Sequence, residues 1–269
     1  MNSSIGDTPE SNRGIEVPYW FELLATFVAR DIRARYKRSI LGFYWAVLSP
    51  LLMSLILTLV FSVILNFRPG NTPFAIFVLS GLLTWQLFAN GLGNATNSVS
   101  GYAQLITKVR FRRWVLPVSS VLARVVDLFF TLIVLVPLIV WFQIDLGTAV
   151  LWLPPLIGCM VLLTIGVGLV VAGLNVYYRD IEQLVPIVLN LWFYLSPVIY
   201  PAERFPERLR FLFWMNPPGV IVQYTRAALL ENQGPSWTSF AALLLVSSAI
   251  ALVGAFLFHR LQRRFAEIV

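Results

Sequence analysis

Residues 150–176 read VLWLPPLIGCMVLLTIGVGLVVAGLNV, and no side chain in that run is charged. A helix needs about 20 apolar residues to cross about 30 Å of hydrocarbon, so the block predicts a membrane span. The segments 44–66, 74–97, 118–142, 182–200 and 238–258 repeat the pattern. Together they predict an all-α, polytopic membrane protein of about six transmembrane helices. Composition points the same way: 58% of the 269 residues are hydrophobic and 12% are charged, against roughly 25% charged in a soluble domain. The span 182–200 is the weakest of the set, being short and bracketed by Pro186, Pro197 and Pro201. Pro50 and Pro137 fall inside spans, where neighbouring helices can satisfy the freed carbonyls. Gly168 and Ala172 form a small-xxx-small pair that permits close helix contact, although glycine is also common in membrane helices for no particular reason.

The flanks divide the chain further. Residues 1–17 are polar, lack the apolar core of a cleavable signal peptide, and are predicted to be a disordered tail. Residues 18–41 predict an amphipathic helix lying at the membrane surface, with Pro18 in its first turn. Phe21, Leu24, Ala25, Val28, Ile32 and Tyr36 form one helical stripe, and Arg30, Arg33 and Lys37 lie opposite. Residues 42–260 form the membrane domain and 261–269 a short C-terminal tail. The Lys and Arg concentrate on one side: Arg13 through Arg38, then Lys108, Arg110, Arg112 and Arg113, then Arg179, then Arg260, Arg263 and Arg264, against Arg68 in the short connections of the other side and four Arg in the long segment 201–237. The positive-inside rule places that side, and both termini, in the cytoplasm. The long segment 201–237 predicts two short extracytoplasmic re-entrant helices, near 206–214 and 218–230, since its apolar runs are too short to span. No whole-chain repeat is visible, which weighs against an inverted-repeat secondary transporter.

The chain has little chemistry of its own. A Walker A loop requires Gly-Lys-Ser/Thr, but Lys37 and Lys108 follow Tyr36 and Thr107. The single cysteine, Cys159, excludes a disulfide framework. The single histidine, His259, sits at the end of the last span and is expected to be structural. No catalytic residue and no metal site are expected. The net charge of +7 is read as orientation and lipid headgroup contact, with no nucleic-acid partner. Arg124 and Asp127 lie three apart near the basic end of the third span. Intramembrane charges are functional candidates, yet this spacing favours a local ion pair. A membrane path without a visible engine implies a permease driven by a partner ATPase.

Several stretches then resemble a known family. Arg30-Asp31-Ile32-Arg33-Ala34-Arg35-Tyr36-Lys37-Arg38-Ser39-Ile40-Leu41-Gly42, with Trp45 and Ser49-Pro50-Leu51, is similar to the N-terminal signature of ABC-transporter permeases that export polysaccharides. Tyr177-Tyr178-Arg179-Asp180-Ile181, Leu195-Ser196-Pro197-Val198-Ile199-Tyr200-Pro201 and Asn216-Pro217 also match that family, in the same order. The nearest subgroup is the Wzm-like O-antigen exporters of lipopolysaccharide biosynthesis, with TagG-like teichoic acid exporters as relatives. The resemblance implies a homodimer in the bacterial inner membrane, paired with two copies of a nucleotide-binding subunit. ATP and magnesium would be used there, and this chain would hold no cofactor. It implies a substrate linked to polyprenyl diphosphate, with Leu41-Gly42 associated with its capture.

Physical chemistry adds site expectations. Arg33, Arg35, Lys37 and Arg38 could bind a diphosphate at the inner leaflet, or simply touch anionic membrane lipids. Lys108, Arg110, Arg112, Arg113, Arg179 and Asp180 are expected to contact the ATPase. Aromatic faces could guide a sliding glycan; Tyr44, Tyr194 and Tyr200 are the expected channel-lining residues. Trp192 and Tyr194 cannot share one face of a regular helix, so only part of the 192–194 cluster can line a path. The competing functions are a teichoic acid or capsular polysaccharide exporter, a small-molecule ABC exporter, a secondary flippase and a membrane-embedded transferase. The last would require clustered acidic or histidine residues that this sequence does not show.

Overall fold

A computed structural model describes residues 19–36, 44–67, 72–102 and 111–265, with the single positions 69 and 108. Among them, five helices are long and apolar enough to cross a membrane. In chain order the helices are α1 (Tyr19–Tyr36), α2 (Tyr44–Leu57, widened into a π-helix over Thr58–Ile64), α3 (Phe74–Ser98), α4 (Val115–Trp141), α5 (Leu153–Tyr177), α6 (Ile181–Leu195), α7 (Arg210–Trp214), α8 (Pro217–Leu230) and α9 (Trp237–Leu261). The predicted tail 1–17 and Pro18 lie outside the described residues, as do Lys37, Arg38, Leu41, Gly42, Arg110 and the last four residues.

The bundle is built around α3, which packs against α2, α4, α5, α6 and α8. It is the least apolar of the five long helices and the most deeply buried. Hydrocarbon rejects polar groups that a protein neighbour can satisfy, so the helix richest in Asn, Gln, Ser and Thr takes the centre. The greasier α2 and α9 stay at the periphery, with Leu55, Ile56, Leu245 and Leu252 exposed.

The predicted span 182–200 is shorter than expected. Helix α6 has 15 residues, about 22 Å at 1.5 Å per residue, less than the roughly 30 Å of hydrocarbon. It stops at Leu195 because Pro197 drives Ser196 to an extended conformation (φ −96°, ψ 145°). Residues 196–200 turn instead of continuing the span. The two expected short helices beyond it are present as α7 and α8. The longer one, α8, is largely buried against α3 and α5.

Helix α1 is amphipathic in a way the sequence stripe only half describes. Phe21 and Ala25 of that stripe are exposed. A second face, centred on Phe27 with Leu23 and Leu24, packs on protein. Contacts advance in register along α4: Trp20 with Trp114, Asp31 with Ser120, Arg35 with Asp127. Helix α1 therefore lies alongside the first half of α4 for about 20 Å and presents its other apolar face outward.

Close helix contact uses glycine. Gly168 approaches Ala95 of α3, where a Cβ would sit 3.0 Å from the alanine methyl. The tighter crossing is between α5 and α9 at Gly166 and Gly254: a Cβ on Gly166 would come within 2.6 Å of the Ile250 carbonyl and 2.7 Å of Ala251 backbone. No side-chain motion relieves an overlap with backbone. Gly166→Ala or Gly254→Ala should lower the apparent Tm of the detergent-solubilised protein, by overpacking worth about 1–3 kcal/mol. Gly158→Ala on the same helix α5, where a Cβ meets nothing within 4 Å, should be neutral. Equal behaviour of Gly166→Ala and Gly158→Ala in a thermal aggregation assay would disprove the crossing.

Candidate functional site

Three regions collect the residues with chemistry, and the first joins α1 to α4. Asp127 takes both oxygens to the Arg35 guanidinium, at 2.6 Å each, and a second cation from Arg124 at 2.9 Å. The i,i+3 pair expected from sequence is thus present, extended by α1 into a triad. Its side chains are about one-fifth exposed, so the ions are partly desolvated, and the Asp127 carboxylate offsets part of the positive charge of the two guanidinium groups. Arg30 pairs with Asp31 at 3.3 Å and stacks over the Phe27 and Tyr102 rings at 4.3 and 4.0 Å. Burial and the Asp31 carboxylate push the Tyr102 phenol above its usual range, so it stays neutral under that cation. The expected diphosphate ligands therefore differ in circumstance. Arg33 is exposed, its Nε donating only along its own helix to the Ala29 carbonyl at 3.2 Å. Arg35 is engaged by Asp127.

The second region lies at the same end of the bundle. The segment 111–114 is held between α1 and the end of α9. Phe111 stacks near Phe27 (6.0 Å), and Arg113 donates to the Gln262 carbonyl at 2.6 Å and faces the Phe265 ring at 5.9 Å. Tyr177 clamps the same end by donating to the Leu261 carbonyl at 2.8 Å. A cleft of about 560 Å³ opens between Phe111–Trp114 and His259, Gln262 and Arg263. Arg112, Lys108, Arg179 and Asp180 are exposed. His259 contacts Gln262 at 2.8 Å.

The third region is a groove of about 810 Å³ bordered by α2, α3 and α6. The aromatic cluster of α6 divides around it. Tyr194, 63% exposed, is on the groove wall. Phe193 is buried against Trp85 at 5.7 Å. Trp192 turns into the protein, packs on Phe88 and donates its indole N–H to Asn216 Oδ1 at 2.9 Å. Tyr200 is half-buried; its hydroxyl donates to the Tyr194 carbonyl at 2.9 Å and its ring meets Phe205. Tyr44 is exposed at the start of α2.

Two residues have organising roles that the sequence reading did not assign. Asn216 caps α8 through Gly219 N–H (3.1 Å), accepts from Trp192, and donates to Ser196 Oγ (3.0 Å). It ties the end of α6 to the start of α8, and the Asn-Pro dipeptide was the available signal. Arg226 is buried in α8. It donates to the Val198 carbonyl at 2.7 Å and the Phe77 carbonyl at 3.2 Å, with its guanidinium 3.7 Å from the Phe77 ring centre. Gly81 leaves the space it fills. Position in the sequence gave no hint of this, because its partners are backbone carbonyls.

The triad predicts an ordering of variants. Asp127→Ala removes a carboxylate that Arg35 and Arg124 share, whereas Arg35→Ala leaves Asp127 paired with Arg124. Removing a partner from a partly buried ion pair should cost about 1–3 kcal/mol after allowance for solvent. Asp127→Ala should therefore lower the Tm more than Arg35→Ala, and the double variant should lose less than the sum of the two. Additive losses would show that the pair is not energetically coupled.

Comparison with known proteins finds relatives over most of the chain. A family model described as "ABC-2 type transporter" matches residues 22–230. The O-antigen export system permease protein RfbA of Klebsiella pneumoniae is 31% identical over 252 residues, 93% of this chain and 96% of that protein. The RfbA protein of Myxococcus xanthus is 31% identical over 253 residues, 92% and 95% respectively. The polysialic acid transport protein KpsM of Escherichia coli is 26% identical over 237 residues, covering 83% and 88%.

Proposed function

Because the chain belongs to the ABC-2 type transporter family, we propose that it is the permease subunit of an ATP-driven exporter of a lipid-linked polysaccharide, O-antigen foremost. The observation that carries this reading is the similarity to O-antigen export permeases across nearly the full length of both proteins. Two chains would assemble with two copies of a separate nucleotide-binding subunit, which would hydrolyse ATP with magnesium. Relatives named for polysialic acid transport and for capsule polysaccharide export support capsular polysaccharide as the second substrate class.

The geometry supports a division of labour. The basic end, with Arg112, Arg113, Arg179, Arg260 and Arg263, is the cytoplasmic face by the positive-inside rule. The clasped segment 111–114 is the ATPase contact. Exposed Arg112 makes that contact, while Arg113 is engaged by the Gln262 carbonyl. A diphosphate headgroup arriving in the inner leaflet needs charge-assisted hydrogen bonds. Arg33 can offer its guanidinium to it, and Arg35 is committed to Asp127.

The founding experiment is deletion of this chain from its host. Surface polysaccharide should vanish and polyprenyl-linked polymer should accumulate inside; unchanged surface polymer would refute the proposal. Arg112→Glu should weaken co-purification of the ATPase subunit at least about tenfold, roughly 1.4 kcal/mol, without lowering the Tm. Arg33→Gln should cut stimulation of ATPase activity by lipid-linked substrate while assembly and stability persist, and Arg35→Gln should instead show first as lost stability. The reverse pattern would reassign the diphosphate ligand to Arg35.

A further inference from the structure

The groove between α2, α3 and α6 carries a feature that the aromatic reading did not use. Gln86, Asn90, Asn94 and Asn97 occur at spacings of four, four and three on α3, which puts all of them within about 80° of one helical face. Gly93 belongs to the same face, and a Cβ there would meet nothing within 4 Å. The face is therefore open. Asn90 is exposed, and Gln86 and Asn94 are half-exposed. Gln86 and Asn90 border the groove, where Asn190 of α6 and Ser49 of α2 join them from the opposite walls.

Gln86 is the midpoint of α3 (Phe74–Ser98), so the stripe runs from the middle of the membrane to the basic end. Carboxamides facing hydrocarbon along half a span would be left without partners, which a membrane helix avoids. The stripe must face water, a second protein surface or a polar ligand. At its basic end it is anchored: Asn97 donates to Glu182 of α6 at 2.8 Å and accepts from Asn175 of α5 at 3.2 Å. Those bonds hold the end of α3 to α5 and α6.

We propose that the Gln86–Asn90–Asn94 stripe, completed by Asn190 and Ser49, is a hydrated track that carries the hydroxyl groups of a moving glycan. The assignment rests on the export reading above and names the atoms that would contact the substrate. Each carboxamide offers both donors and an acceptor, which suits sugar hydroxyls of either polarity. Neutral groups spaced one turn apart pass hydrogen bonds from one rung to the next without a charge that would trap the chain. Tyr194, exposed on the same groove, supplies flat apolar surface for the ring faces. The groove's volume falls in the usual range of ligand sites, about 300–1,000 Å³, but it lacks charged groups among its lining residues.

Two measurements test the track in the assembled transporter in native membranes. The first makes Asn90→Cys in a Cys159→Ala background and adds sulfonatoethyl methanethiosulfonate, which reacts with the thiolate and so reports water. Asn90→Cys should react about tenfold or more faster than Leu252→Cys on the exposed apolar face of α9. Equal rates overturn the proposal, because position 90 then faces lipid. Efficient disulfide cross-linking between two copies of the Asn90→Cys variant overturns it as well, because the stripe is then a self-association face. The second measurement compares surface glycan length in Gln86→Leu and Asn90→Leu with wild type. The longest chains should decline several-fold while ATPase co-purification and Tm stay at the wild-type level. If wild type exports glycan and both variants give the same length distribution, the track fails alone. If wild type restores no surface glycan, the export reading fails and takes the glycan assignment with it.

Discussion

A polar atom inside a bilayer must find a partner within the protein or a channel of water, and this constraint arranges the whole bundle. It explains why the least apolar long helix, α3, is central. It also explains Arg226, a full positive charge buried in α8 that survives by donating to carbonyls of α3 and of the 196–200 turn. That one side chain binds three elements that are far apart in sequence. Asn216 performs the same service a few residues earlier, using all its hydrogen-bonding capacity on α6, the following turn and its own helix. The short helix α6 depends on both, since it ends before crossing and its last turn is supported by α8 rather than by further helix.

The same constraint treats charges differently at the basic end. There the ions are paired rather than buried singly: Arg35 and Arg124 on Asp127, Arg30 on Asp31. The Arg35–Asp127 pair, with the Ser120 hydroxyl donating to Asp31, docks α1 lengthwise on α4. The segment 111–114 is then caught between α1 and the end of α9 by Phe27, Gln262 and Phe265. That segment touches two helices at once, α1 and the end of α9, and α9 packs against α5 through Gly166 and Gly254. Dense packing of this kind passes strain on rather than absorbing it. A cytoplasmic partner acting on exposed Arg112 would therefore act on a rigid assembly.

Much of this could be read from residue order alone. Apolar length determined the long helices, and their observed ends fall within three residues of the expected ones for α3, α4, α5 and α9. The spacing of Arg124 and Asp127 announced their ion pair, and the spacing of Trp192 and Tyr194 announced that they face different ways. These inferences succeed because each concerns groups on a single helix, whose geometry is known in advance. Span length, helix faces and local pairing need no knowledge of what lies next door.

Tertiary structure decided the rest. Whether Arg35 is a free cation or a structural one depends on Asp127, 92 positions away. Which face of α1 meets protein depends on α4: of the apolar stripe, Leu24 packs on protein while Phe21 and Ala25 are exposed. The burial of Arg226 depends on carbonyl oxygens that every residue possesses, so no residue type marks its partners. The opening beside Gln86 and Asn90 exists only because α2 and α6 stand apart on α3. Periodicity specifies which side chains share a face, but the environment of that face is set by which helices pack around it, and that is a property of the bundle.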